Sequence, residues 1–519
     1  MLILTPAELR PQSLDSLRLA LQRLDLRISR LEVTQKDAGQ RVPSKLAPIP
    51  DEETFSTLLN TIIDLNLKVD DLAQDVARIR SGGGQPAGFR LQNEFEMDDE
   101  YTLALLNKLI EQTEGAKWSR NELALHTVQS ERTTGFGELF FAALRNRLEG
   151  VEFEAAYTSE VSSNLAGGLF RRTEYLDNFD LTIDMNLESL FGWRGTHFFL
   201  YILGNHGGNP SDNVGDAQGI STIDSPDTWK LYEASVQQEL FDGRLSFLAG
   251  LYDLNSEFDA IETAGLFLNS SHGIGPDFSQ TGPNGPSIFP TTSLGLRVKW
   301  HPSDKFYVQT VVLDGVPGDP DNPNGTKIKF RQGDGILVST ELAYLTGTED
   351  ESHPYGKIAL GTYFYTTKYD AILGQDNNLQ QRSKPGAYLL AERSVLREKN
   401  DRGQGLAVFG RVGFSDSEVF QFGLYTGAGA VYTGLFPGRD EDQVGVAVAA
   451  AHTGKHWRDA QRIDGIDVDR SEIALELTYR AQLTSWLAAQ PDFQYVINPG
   501  TDPALSNAFV SSTRLEISF

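Results

Sequence analysis

The stretch FDLTIDMNL, residues 179–187, sorts its side chains into two opposed sets. Phe179, Leu181, Ile183, Met185 and Leu187 share one side, and Asp180, Thr182, Asp184 and Asn186 the other. Successive side chains of a β-strand point to opposite faces, so this alternation predicts a strand with one apolar and one polar face. The pattern recurs. EIALELTYR (472–480) sets Ile473, Leu475, Leu477 and Tyr479 against Glu472, Glu476 and Arg480. SLGLRVKW (293–300) sets Leu294, Leu296, Val298 and Trp300 against Arg297 and Lys299. LAAQPDFQYVI (487–497) aligns Leu487, Ala489, Phe493, Tyr495 and Ile497, and SSTRLEISF (511–519) aligns Leu515, Ile517 and Phe519. Asp242-Gly243 and HPSDK (301–305) supply tight turns between strands, whereas GNHGGNPSDNVGDAQG (204–219) is a long polar connection.

Two all-β architectures produce such alternation. In a soluble sandwich the apolar faces meet in a shared core. In an outer-membrane barrel they face lipid, and the polar faces line water. Here the polar faces carry full charges of both signs in mid-strand, and short turns alternate with long loops. Aromatic residues gather near strand ends, as in interfacial girdles. The expectation is a mainly β chain whose residues 151–519 form a transmembrane antiparallel barrel of about 16 strands. The apolar face of the last strand is then covered by lipid.

The 519-residue composition agrees. With 71 acidic against 45 basic residues the net charge is −26, which argues against nucleic acid as a partner. There are no cysteines, so disulfides, zinc thiolates and thiol nucleophiles are excluded. No apolar run is long enough for a transmembrane helix. The opening MLILTPAELRP has neither a basic n-region nor a long apolar stretch, and does not read as a signal peptide.

Ahead of the strands the pattern is helical. Leu14, Leu17, Leu21, Leu24, Ile28 and Leu31 follow alternating spacings of three and four, as do Phe55, Leu58, Ile62, Leu65, Val69, Leu72, Val76 and Ile79. These are heptad positions that seek partner helices, so residues 1–80 are expected to form a periplasmic α-helical coiled-coil segment. Residues 81–150 read as a linker, SGGGQPAG, and an amphipathic helix leading into the barrel. The broad apolar stripe of the first helix predicts a homo-oligomer, taken as a homotrimer, held by these segments.

Longer stretches carry a family likeness. LYDLNSEFD (251–259), GLFLNSSHGIGPDFSQTGPNGPSIFPTTSLGLR (265–297), VLDGVPGDPDNPNGT (312–326), LFPGRDEDQVGVAVAAA (435–451) and ELTYRAQLTSWLAAQPDFQYVINPGTDPAL (476–505) resemble the carbohydrate-selective porins of the OprB type. The resemblance covers roughly residues 150–519 and implies a 16-stranded outer-membrane barrel that passes sugars passively. It does not account for the heptads, whose placement is similar to that in envelope porins with periplasmic stalks. The expected partners are small sugars as permeants, outer-membrane lipid and lipopolysaccharide, with peptidoglycan as a contact of the helices. The alternatives are a general diffusion porin without sugar preference and a structural tether between membrane and cell wall.

A sugar offers hydroxyls in its ring plane and C–H faces above and below it. Its path therefore calls for aromatic platforms beside paired donors and acceptors that bind weakly. By parity the inward charges include Glu233, Arg297, Lys299, Arg393, Arg411, Glu472, Glu476 and Arg480. The polar connection with Asn205, His206, Asn209 and Asp216 is expected to fold into the lumen as a constriction. No cofactor, metal site or catalysis is expected. His452 and His456 are four apart without a third ligand nearby, and the acidic stretch IDGIDVDR lacks the full EF-hand pattern.

Overall fold

A computed structural model describes residues 150–347, 355–373, 380–398 and 403–518. The heptad segments, and the linker and helix expected before residue 150, lie outside the described residues. From Val151 onward the chain runs through β1 (Val151–Ala166), β2 (Thr173–Asn186), β3 (Thr196–Gly207), β4 (Thr228–Leu240), β5 (Leu245–Tyr252) and β6 (Ser293–Ser303). There follow β7 (Phe306–Asp314), β8 (Ile336–Thr346), β9 (Gly356–Tyr365), the short pair β10 (Lys368–Asp370) and β11 (Gln380–Arg382), and β12 (Gly386–Arg397). The series ends with β13 (Gly405–Phe414), β14 (Phe422–Thr433), β15 (Gln443–Thr453), β16 (Ser471–Thr484), β17 (Leu487–Ile497) and β18 (Ala508–Ser518).

All but β10 and β11 join a closed 16-stranded antiparallel barrel. Each strand pairs with its neighbours in sequence, β9 bonds directly to β12, and β1 meets β18 with Ala156 opposite Ser518. The barrel thereby has no free edge, which is the condition for a sheet to cross hydrocarbon. One rim carries the start of β1, the end of β18 and tight turns such as those at Asp304–Lys305 and Ser485–Trp486. The β4–β5 turn puts Phe241, Asp242 and Gly243 all at positive φ, a conformation that only glycine adopts without cost. The opposite rim carries the long connections 208–227, 253–292 and 315–335.

The two-residue period holds along the wall. Leu296, Val298 and Trp300 of β6 and Leu475 and Leu477 of β16 are exposed on the outer face, while Arg297 and Glu476 are buried inside. Trp300 and Phe306 mark the outer surface near the tight-turn rim, and Trp229 and Phe414 mark it near the other. The charged inner faces do not simply line water, however. The connection 253–292 turns inward and builds a hydrophobic core within the barrel. Leu254, Phe258, Ile261, Phe267, Ile274 and Phe278 pack on inward side chains of β7 to β15, among them Tyr307, Leu337, Tyr363, Tyr388 and Phe409. Phe278 stacks on Tyr363 with ring centroids 3.8 Å apart and planes 6° from parallel. Each such aromatic, withdrawn from water, contributes roughly 1.5–3 kcal/mol. A second inturned stretch, within 208–227, sets Val214 and Ile220 against Val496, Ala508 and Val510 of β17 and β18.

Candidate functional site

The inturned segment 253–292 is held by polar groups that strict alternation aims into the lumen. Arg411 of β13 is central. Its Nε and Nη2 donate to the two carboxylate oxygens of Asp259 at 2.7 and 2.6 Å, and its Nη1 donates to Asp277 Oδ1 at 2.7 Å. All three side chains are almost completely buried. Around this knot, wall carboxylates accept from the segment's backbone. Glu341 accepts from the Asp259 amide, Glu392 from those of Glu262 and Thr263, and Glu476 from those of Leu268 and Asn269. Tyr363 and Tyr425 donate to the carbonyls of Asp277 and Ser271. The second inturned stretch is fixed in the same way, with the Ala217 and Gln218 amides donating to Glu472 at 2.8 and 3.1 Å.

These anchors occupy one side of the lumen. The inward side chains of β7 to β9 and of β12 to β17 are mostly buried beneath the inturned segments. Water reaches the inner wall along the remaining arc, which runs from β18 through β1 to β6. That arc presents Glu152 and Glu154 of β1, Asp180 and Asp184 of β2, His197 and Tyr201 of β3, Lys299 of β6 and Glu516 of β18. Tyr201 donates to Asp180 at 2.6 Å and lies edge-on to Tyr232 with centroids 4.9 Å apart. Glu257, at the start of the inturned segment, faces this arc. It accepts from Arg297 Nε at 2.8 Å and from Lys299 Nζ at 3.1 Å, and Lys299 also lies over the Tyr307 ring. Aromatic faces therefore adjoin carboxylates and cations still in contact with water.

The residues singled out by parity divide accordingly. Lys299 and Arg480 retain about a fifth of their side-chain surface, and Arg480 pairs with Glu516 at 3.1 Å. Glu233, Arg297, Arg411, Glu472 and Glu476 point inward but are buried; Glu233, Glu472 and Glu476 are covered by backbone they anchor, Arg411 by the carboxylates of Asp259 and Asp277, and Arg297 by Glu257, Ser246 and Gln237. Arg393 is a correction. It projects from the outer face of β12, where Tyr388, Leu390 and Glu392 are the inward residues. The inner positions of β12 are partly apolar because they pack on the inturned segment, so polarity did not mark the inward side. Asn205 and His206 also differ from expectation, since both belong to β3 and not to a connection. Asn205 faces in and bonds the Ile223 carbonyl, whereas His206 faces out beside Trp229 and meets Asp177 at 3.1 Å. Asn209 is exposed, and Asp216 accepts from the Gly219 amide in the second inturned stretch. His452 lies in β15 and His456 in a helix, Lys455–Ile463.

Two hollows flank the inturned segments. On the long-loop side, about 610 Å³ is lined by Asn209, Ser221, Asp224, Asp227, Ser270 and Asn324 among others. On the tight-turn side, about 680 Å³ is lined by residues that include Thr263, Gln404, Gln443 and Arg480. Burial pushes the Asp224 carboxyl up to about 7, helped by the charges of Asp216 and Asp212. Sequence alternation gave no notice of Glu257, Asp259 or Asp277, because irregular connections have no period. Glu341 and Arg514 lie on alternating strands and could have been found by the same parity that found Arg411.

Comparison with known proteins matches residues 171–519 to the family model described as carbohydrate-selective porin, OprB family. Porin B of Pseudomonas aeruginosa is 28% identical over 406 residues, covering 72% of this chain and 88% of its own length. Among solved structures, the high-pH structure of Pseudomonas putida OprB superimposes with a TM-score of 0.66 at 24% identity, covering 75% of this chain and 99% of that one.

Proposed function

The chain belongs to the carbohydrate-selective porin family, OprB, and from that premise we propose that sugars pass along the open arc of the lumen between β18 and β6. The protein is a bacterial outer-membrane porin for the diffusion of sugars. The observation that carries the proposed route is the one-sided filling of the lumen, which leaves most of the water-accessible inward polar groups of the described strands along that arc. There Asp180 with Tyr201 and Glu257 with Lys299, and at the margin of the arc Glu516 with Arg480 of β16, form donor–acceptor pairs suited to sugar hydroxyls. Each is already hydrogen-bonded, so a sugar exchanges one polar partner for another and can leave as readily as it enters. The long-loop hollow serves as the entrance. Short turns face the periplasm in such barrels, which sets the long-loop rim outside and the residues before Val151 in the periplasm. The heptad segments support a trimeric assembly and a contact with peptidoglycan, while the long-loop rim faces lipopolysaccharide.

Planar-bilayer recordings with glucose-like sugars test the route. Lys299→Ala and Asp180→Asn are expected to weaken sugar block several-fold, and Lys299→Ala also to shift ion selectivity toward cations. Unchanged block and selectivity in both variants would remove the arc from the permeation path.

A further inference from the structure

Arg393 is left without a role by the lumen, and its surroundings on the outer wall supply one. In β12 it lies opposite Gly356 of β9, one outward position closer to the tight-turn rim than Ala391. A Cβ on Gly356 would come within 3.4 Å of Arg393 Cγ, so the aliphatic stem of the arginine runs over the glycine. Its guanidinium makes no hydrogen bond or ion pair among the described residues. Beside it is an outward groove of about 300 Å³, bordered by Tyr344, Ile358, Ala391, Val408 and Gly410. The groove exists because Ala391 and Gly410, paired across β12 and β13, are small where their neighbours are large. A Cβ at Gly410 would meet nothing nearer than 3.8 Å.

An apolar trough on the lipid-facing wall with a lone cation at its rim-side end has the two parts of a phospholipid site. We propose that this groove holds an acyl chain of an anionic glycerophospholipid from the leaflet at the tight-turn rim, with its phosphate on Arg393. A cation is costly in mid-bilayer but nearly free of cost near the interface, so Arg393 is placed where it can meet head groups. Its attraction to an anionic surface is of the order of 1 kcal/mol, about fivefold in occupancy. Tyr344 beside it is an aromatic of the kind found at head-group depth.

Native mass spectrometry of the full-length protein, released from nanodiscs of phosphatidylglycerol mixed with phosphatidylethanolamine, reads the bound lipid directly. Wild type is expected to retain phosphatidylglycerol in preference. Arg393→Gln should lose that preference about fivefold, and Arg393→Lys should keep most of it. Gly410→Leu, which fills the groove, should lower retention of both lipids. Heat-modifiable migration on gels and unchanged conductance establish that each variant is folded. Equal phosphatidylglycerol retention by wild type and Arg393→Gln overturns the proposal. So does a subunit number that drops with Arg393→Gln, which would make the occupant a second copy of the chain.

Discussion

Replacing Arg411 with methionine removes the cation that joins two buried carboxylates to the barrel wall. Asp259 and Asp277 lose four hydrogen bonds of 2.6 to 3.2 Å. Removing one partner of a buried ion pair costs roughly 3–5 kcal/mol, because the remaining charge is stranded away from water. The barrel has an inexpensive way to relieve this, since the strands can remain paired while the segment around Asp259–Asp277 swings toward water. The apolar packing of Phe258, Phe267 and Phe278 opposes that release, so the outcome is a shifted equilibrium and not a lost fold. At about 1.4 kcal/mol per factor of ten, the ratio of released to docked segment should rise roughly a hundredfold or more. Single-channel recording should show a larger or fluctuating conductance and weaker sugar block, with normal heat-modifiable migration. Adding Asp259→Asn and Asp277→Asn to Arg411→Met should recover part of the wild-type conductance, because no charge is then left buried. A folded Arg411→Met barrel with wild-type conductance and sugar block would refute the assignment of Arg411 as the latch.

Gly413→Ala tests the same latch without removing a charge: its Cβ would fall 2.0 Å from Asp277 Oδ2, so the variant should mimic Arg411→Met in conductance. Gly361→Ala would place a Cβ 2.0 Å from the Tyr388 ring and displace the hydroxyl that bonds Glu341, and should lower the unfolding temperature measured by gel shift or circular dichroism. Asp224 takes up a proton on docking because its pKa is raised to about 7. Docking of residues 208–227 should therefore weaken as pH rises from the ordinary carboxylate range to about 7 and level off above it. Hydrogen exchange of those residues at pH 5.5 and 8.5 reads this difference, and Asp224→Asn should reduce it. Deleting residues 1–88 should reduce a trimer to monomers in native mass spectrometry, and an unaltered subunit number would sever the heptads from assembly.

The wall was legible in the sequence to the extent that each strand had one apolar and one polar side. β2, β6 and β16 satisfy this, and their parity is that of the structure. β12 does not: GAYLLAERSVLR has Leu389 and Leu390 side by side, one toward lipid and the other toward the filled lumen. With both faces in apolar surroundings, alternation lost its meaning there and Arg393 was placed on the wrong side. The inturned segment was hidden for a related reason. Its Phe, Leu and Ile residues follow no period, and its polar anchors find their partners far along the chain, as Asp259 does at Arg411. Parity indicated which wall charges point inward, as with Glu472 and Glu476, but not that backbone amides cover them.

The one-sided filling of the lumen gives the two halves of a single wall different evolutionary latitude. Inward positions from β7 to β17 are constrained like the interior of a globular protein, where volume must be conserved and each polar group must keep its partner. Inward positions from β18 to β6 bear the looser constraints of a wetted surface. Drift among family members, and any laboratory selection for a new solute, should therefore accumulate on the open arc. The closed side would change only through compensated pairs, as when a residue such as Tyr388 and its facing glycine exchange bulk together.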